Sequence, residues 1–296
     1  MRTGTRLALF GLGVVVAFGG AYGIAGALIP RSAVSEWEKG TDMNDHGAAH
    51  SAADAPKGVS LAADGFTLSP VEAPKVVGET GELSFRILDV TGAAVTDYAT
   101  SHDRELHLIV ARSDGSGFRH AHPVLNGSTG TWSAPWKWTD AGSYRVFADF
   151  TPAGAEAPSL TLTRTVEVAG EFIPVAPQPS RVDDVDGYTV SLAGELTAGT
   201  SSRLTITVAR DGEPNTTLEP YLGAFGHLVA LREGDLAFLH VHADGDEPIA
   251  GQTAGPTIVF AAEAPTAGRY LLYLDFQVAG QVHTAEFVLD AAPSIH

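Results

Sequence analysis

The chain has 296 residues, room for two ordinary domains, and a formal net charge of −17. That charge excludes the basic face needed for nucleic-acid binding, and it excludes adhesion of the folded part to an anionic lipid surface. There is no cysteine, which excludes disulfides, thiolate metal ligands and a cysteine nucleophile, so a metal would find only His, carboxylate and Met ligands, a set suited to Cu(II) or Zn(II).

At the start of the chain, Arg2 and Arg6 precede an uncharged stretch from Leu7 to Ile29. As a helix this stretch would rise roughly 34 Å, enough to cross a bilayer. Positive charge before it and acidic residues after it predict residues 1–6 in the cytoplasm, 7–29 as a single-pass anchor, and everything that follows outside the cytoplasm, in contact with the membrane through this helix only. A cleaved signal peptide is the alternative, with Ala25-Gly26-Ala27 as its cleavage site, although the apolar run is long for one. Gly19 and Gly23 stand at GxxxG spacing, which suits tight helix pairing as well as a span merely rich in small residues. Residues 30–58 lack a hydrophobic period and read as a flexible linker, in which Met43, His46 and His50 form a loose polar cluster.

Residues 59–170 and 181–292 are an internal duplication. Asp64 to Leu68 (DGFTL) matches Asp186 to Val190 (DGYTV), Leu83 to Ile87 matches Leu204 to Val208, and Ala141 to Phe150 matches Ala267 to Phe276. Each copy reads as roughly seven short strands separated by Gly, Asp and Pro turns. This predicts an all-β chain of two tandem immunoglobulin- or cupredoxin-like β-sandwiches, joined by the proline-rich segment 171–180.

Each copy carries the pattern His-x12-His-x-His: His107, His120 and His122 in the first, His227, His240 and His242 in the second. Imidazole is the commonest protein ligand for transition metals. In both copies the first histidine opens a strand, a Gly-containing turn follows, and the His-x-His pair lies on the returning strand. His120 and His122 share a face because strand side chains alternate, and a directly opposed residue shares that face at roughly 5 Å between Cβ atoms. Three imidazoles then converge at the hairpin end far from the turn, with room for a fourth ligand. A one-residue bulge would defeat this by turning the first histidine to the other face. Ile109 and Phe118 accompany the histidines in the first copy, Val229 and Phe238 in the second, so both strand faces are apolar and parity does not identify the core. Histidines held at a buried edge by backbone carbonyls are the competing reading.

Further ligands could come from His102, in the loop ATSHDRE before the first hairpin, from His283, or from Asp149 and Asp275, which end matched strands. The two aspartates also suit a role in bonding an imidazole N–H, pairing with an arginine or capping a turn. Trp132, Trp136 and Trp138 read as core filling, and Tyr144 and Tyr270, in AG-x-Y, as locks on a strand corner.

The blocks ELHLIV, FRHAHP, GSYRVFADFTPAG, EPYLGAFGHLVALREGDLAFLHVH and RYLLYLDFQ resemble a family of membrane-anchored secreted proteins of actinobacteria labelled heavy-metal-associated or metal-binding. The resemblance implies an extracytoplasmic protein linked to copper or another heavy metal and supplies no reaction. It also extends to small periplasmic copper-resistance sandwiches, but Met1 and Met43 are the only methionines, which argues against thioether handling of Cu(I). No nucleophile elbow, phosphate loop, dinucleotide fingerprint or HExxH motif is present. The expectation is a non-enzymatic protein that binds copper, or zinc, for chaperoning, sequestration or sensing. The alternative is an envelope interaction module whose histidines are structural and whose partner is another envelope protein.

Overall fold

A computed structural model describes residues 57–154, 157–239, 241–249 and 251–294, and every regular element among them is a β-strand. The anchor at 7–29, the linker apart from Lys57 and Gly58, and His296 lie outside the described residues.

In the first repeat one sheet orders β1 (Ala62–Ala63), β2 (Phe66–Leu68), β3 (Thr80–Leu88), β8 (Thr131–Lys137) and β7 (Val124–Asn126). The other orders β10 (Leu160–Val168), β9 (Gly142–Pro152), β5 (Leu106–Arg112) and β6 (Arg119–Ala121), with β4 (Tyr98–Ala99) against β9. The second repeat repeats the scheme. One sheet orders β11 (Val182–Val185), β12 (Tyr188–Ala193), β14 (Ser201–Arg210), β19 (Thr257–Glu263) and β18 (Val241–Ala243), with β15 (Glu213–Pro214) against β14. The other orders β13 (Leu196–Thr197), β21 (Gln281–Ala292), β20 (Gly268–Val278), β16 (His227–Arg232) and β17 (Phe238–Leu239).

Each repeat is a sandwich with its own core. Trp132, Trp136 and Trp138 fill the first, and Phe260 takes part in the second. Tyr144 donates its hydroxyl to the Asp140 carbonyl and Tyr270 donates to the Thr266 carbonyl, so both tyrosines close a corner four residues back, as AG-x-Y implies.

The unusual strands are β5, β9, β16 and β20, which are buried on both faces. In β5, Leu106, Leu108 and Val110 enter the first core, while Ile109 and Ala111 point the other way. In β20, Leu272, Leu274 and Phe276 enter the second core, while Leu271 and Tyr273 point the other way. These outward side chains form a third apolar cluster, with Phe147, Val229, Leu231 and Phe238, that joins the two sandwiches. Phe118 stacks on Tyr273 at 4.0 Å between ring centroids and 3° between planes, and the Tyr273 hydroxyl donates to the Gly115 carbonyl across the interface. Gly115 has φ +86°, and a Cβ there would lie 2.2 Å from Leu271 Cδ1, so the hairpin tip approaches the second repeat as only glycine permits. Lys57 and Gly58 reach both repeats: the Lys57 carbonyl accepts from the Phe238 N–H at 2.8 Å, and the Gly58 N–H donates to the Thr161 carbonyl at 3.3 Å.

The segment between the repeats is tied to the first hairpin. Arg112 makes a forked pair with Asp114 at 3.0 and 2.8 Å, and Asp114 also accepts the Val175 N–H at 2.8 Å. Arg269 donates to the Pro177 carbonyl at 3.1 Å from the other side.

The returning strand of the second hairpin departs from expectation. β17 pairs with β16, but β18 pairs with β19 in the opposite sheet, His242 lying opposite Ala261. The chain changes sheets between Leu239 and Val241, so the second His-x-His pair is not carried on one hairpin arm. The first repeat makes the same change one step later, between β6 and β7, around Pro123, which has no N–H to continue a ladder.

Replacing Tyr273 by Ala removes the stack on Phe118 and the bond to Gly115. The expected loss is about 3–5 kcal/mol in denaturant unfolding. Burial raises the Asp114 carboxyl, but its bonds to Arg112, Val175 and Ser116 outweigh that and hold it at about 2, against 3.8 for a free side chain. A depressed folded value contributes stability above pH 3.8 that is lost as pH falls toward 2. Acid unfolding followed by circular dichroism should therefore show a weaker pH dependence over that window for Asp114→Asn than for the natural chain.

Candidate metal centre

The first histidine triplet stands as its spacing predicts. Register pairs Leu108 with Ala121 and Ile109 with His120, so His107, His120 and His122 share one face of the β5–β6 hairpin with no intervening bulge. That face is the one turned to the second repeat. One ligand atom from each of the three histidines lies within 4.8 Å of the others.

The second repeat adds two groups. His227 opens β16, and its ring stacks on His107 with centroids 5.6 Å apart and planes within 7°. Asp275, directly opposite His227 in register, accepts a hydrogen bond from His120 Nδ1 at 2.8 Å. The two side chains are 1% and 4% exposed, so this contact between repeats is dry. His120, His227 and Asp275 form a second set with ligand atoms within 4.8 Å of one another.

Each repeat supports its histidine in the same way. His107, Asp149 and Thr161 form a row across β5, β9 and β10, and His227, Asp275 and Thr284 form the same row across β16, β20 and β21. Thr161 donates to Asp149 at 2.7 Å and Thr284 to Asp275 at 2.6 Å, which fixes each carboxylate. The rows then differ. Asp275 receives His120, whereas Asp149 joins neither ligand set and burial raises its carboxyl.

The proton positions follow from the partners. His107 Nε2 lies 3.0 Å from the Ser101 carbonyl, which can only accept, so Nε2 carries the hydrogen and Nδ1 the lone pair. The Asp275 carboxylate likewise holds the hydrogen of His120 on Nδ1, leaving Nε2 as a lone pair in the neutral ring. These two lone-pair nitrogens face each other at 3.1 Å. A second proton on either ring, shared between the two nitrogens, or a cation between them reconciles them. The edge of a tetrahedral site with nitrogen ligands at roughly 2.0–2.1 Å is about 3.3 Å, so the 3.1 Å separation is near that of two ligands of one ion and is also that of an N–H···N hydrogen bond. His122 Nε2 and His227 Nδ1 are buried with no hydrogen-bond partner. A second proton on His120 leaves both unpaired, at a cost of roughly 1–3 kcal/mol each.

Burial favours neutral rings. Burial, with the neighbouring His120 adding to it, pushes His107 down to about 4 and His122 down to about 3, and the same causes hold His227 well below the ordinary range. Lone pairs are therefore available at neutral pH. Beside the cluster, a cavity of about 340 Å³ is bordered by His102, His227 and the acidic residues Asp244, Asp246 and Glu247.

The other candidates are placed as follows. His102 stands beside the cluster, its ring 6.1 Å from His107 and 5.8 Å from His227, on a turn in which His102 and Asp103 have φ of 49° and 60°. His283 is elsewhere, with Nδ1 2.8 Å from Asp186 and its ring against Tyr188. His240 lies outside the described residues, and the description of His242 is confined to its backbone in β18. Tyr221, which sequence reasoning passed over, lies 6.3 Å from His122. Its turn, closed by pairing with Ala224, matches the turn closed by Ser101 and Arg104, and that correspondence was the available signal. Burial, with Asp275 adding to it, pushes the Tyr221 hydroxyl up to about 12.

A family model for a domain of unknown function, DUF8832, matches residues 61–170 and again 183–293. The chain belongs to this family. No curated protein matches the sequence significantly. Among solved structures, InvD of Yersinia pseudotuberculosis is similar at 12% identity over 79% of this chain and 59% of its own, with a TM-score of 0.23. The adhesin InvE of the same organism is similar at 12% identity over 78% of this chain and 60% of its own, with a TM-score of 0.21. The fibronectin(III)-like modules of Clostridium thermocellum CbhA are similar at 10% identity over 78% of this chain and 98% of theirs, with a TM-score of 0.21. The chain thus spans about three fifths of the length of the two Yersinia chains.

Proposed function

We propose that this protein binds a divalent transition metal, copper(II) in the first place and zinc as the alternative, through His107 Nδ1, His120 Nε2 and His122 Nε2. The observation that carries this reading is the convergence of one ring nitrogen each from His107, His120 and His122 within 4.8 Å of one another, with His122 Nε2 buried and unpartnered. Neutral nitrogen ligands without thiolate or thioether suit Cu(II) and Zn(II). Asp275 is a positioning residue: by holding Nδ1–H of His120 it aims Nε2 at the ion and raises the basicity of the ring.

The role is non-enzymatic: chaperoning, sequestration or sensing of the metal. The apolar stretch at 7–29 supports a membrane tether with the sandwiches outside the cytoplasm, and the resemblance to actinobacterial proteins labelled heavy-metal-associated supports the same setting. The acidic cavity rim beside His227 suits delivery of a cation. The interaction-module reading rests on the same His120–Asp275 pair taken as a structural ion pair between the repeats, with another envelope protein as partner.

Calorimetric titration of the full-length chain with Cu(II), in a His46→Ala, His50→Ala background, should give tight binding that His107→Phe and His122→Phe each reduce by at least one equivalent while the melting temperature changes little. Equal binding by the phenylalanine variants and the parent would leave the histidines structural. In the same assay Asp275→Asn should weaken binding roughly 10–100-fold.

A further inference from the structure

The first set of ligands leaves one group without an explanation. Once an ion takes His107, His120 and His122, the Nδ1 of His227 is still buried and unpartnered. His227 does not belong to the first set, and it does belong to a second one with His120 and Asp275. The two sets share His120, which turns a different ring nitrogen to each side: Nε2 toward His107 at 3.1 Å and Nδ1 toward Asp275 at 2.8 Å. The second separation is that of a charge-assisted hydrogen bond and would widen to about 3.3 Å or more if both atoms bound one ion at roughly 2.0–2.2 Å.

We infer that the site holds two divalent ions bridged by the His120 ring, the second bound by His120 Nδ1, His227 and Asp275. This rests on the metal-binding reading above. For the second ion to bind, the Nδ1 proton of His120 would leave to solvent, making the ring an imidazolate anion with one lone pair toward each ion, and the Asp275 oxygen that had accepted the hydrogen bond would become a ligand. No electron is transferred. His227 brings a neutral nitrogen and Asp275 the only carboxylate of the two sets, so the second position carries a carboxylate as well as its share of the imidazolate charge. Both of its new ligands come from the second repeat, and the shared one comes from the first. The duplicated rows thus build two unlike positions, one made wholly of the first repeat and one made jointly.

The test uses full-length chain in the His46→Ala, His50→Ala background, loaded with excess Cu(II), desalted and assayed for copper per chain by elemental mass spectrometry. His227→Phe keeps a flat ring stacked on His107 and deletes both nitrogens. The expected result is one copper per chain fewer in His227→Phe than in the parent. The electron paramagnetic resonance signal of the loaded parent should integrate to well below its copper content because two ions coupled through one imidazole ring largely silence each other. His227→Phe should recover an uncoupled signal equal to its copper content. His227→Gln, which folds with a polar side chain in the same place, should behave as His227→Phe does. Equal copper in parent and His227 variants, with full signal intensity in both, overturns the second position and leaves the three-histidine site standing if His122→Phe still loses its ion. Absence of retained copper in the parent overturns both.

Discussion

Burial of both faces of β5 and β9 against β16 and β20 dictates where every polar group near the repeat boundary can go. One face of each strand fills its own sandwich, and the other packs against the neighbouring repeat. A polar side chain on that second face loses water and must find a partner, because an unpaired buried donor or acceptor costs roughly 1–3 kcal/mol. Along most of the interface the chain meets this demand by being apolar: Ile109, Ala111, Val229 and Leu231 need no partner. At one end it places imidazoles instead. Their demand is met only in part by protein, through Ser101, Asp275 and each other. What remains unmet among the described residues there is His122 Nε2 and His227 Nδ1.

The same constraint explains why the site stays neutral despite its crowding. Several protonated imidazoles packed at centroid distances near 5 Å would repel strongly in a dry environment. Burial and mutual repulsion both lower the affinity of His107, His122 and His227 for protons. A metal ion competes with protons for those lone pairs, so an environment that rejects protons near neutrality gives the ion an advantage there. A cation there would have its charge balanced in part by Asp275, which stands against His120, and by a chain of net charge −17 at longer range.

Much of this was legible in the sequence, and the remainder was hidden for physical reasons. The duplication, the all-β class, the tryptophans in the core and the tyrosine corners follow from local pattern, because strand period and turn chemistry are local properties. The convergence of His107, His120 and His122 was legible for the same reason: it depends on one hairpin and its register. His227 and Asp275 were hidden as members of that site because no local rule fixes how one sandwich docks on another. The hint lay in Ile109, Phe118, Val229 and Phe238, apolar companions on the histidine face that make sense only if that face is covered. The change of sheet between Leu239 and Val241 was also hidden, since LAFLHVH alternates as well across two short strands as along one. His283 was an attractive extra ligand by count alone, but DGYTV supplies Asp186 to hold it elsewhere.

Covalent fusion of the two repeats permits what a symmetric dimer of one repeat would not. In an isologous dimer every contact is made twice, so a histidine reaching across to an aspartate would be answered by the same contact in reverse. Here the matched rows His107–Asp149–Thr161 and His227–Asp275–Thr284 keep the same backbone geometry while their surroundings differ. The turn that carries His102 in the first repeat carries Leu222 in the second, and Ser101 is replaced by Tyr221. The first pair places a polar ring at the cavity and offers a carbonyl to His107. The second places an apolar side chain and an aromatic ring beside His122. Duplication supplied two equal frames, and these few substitutions made the surroundings of His107 and His227 unlike.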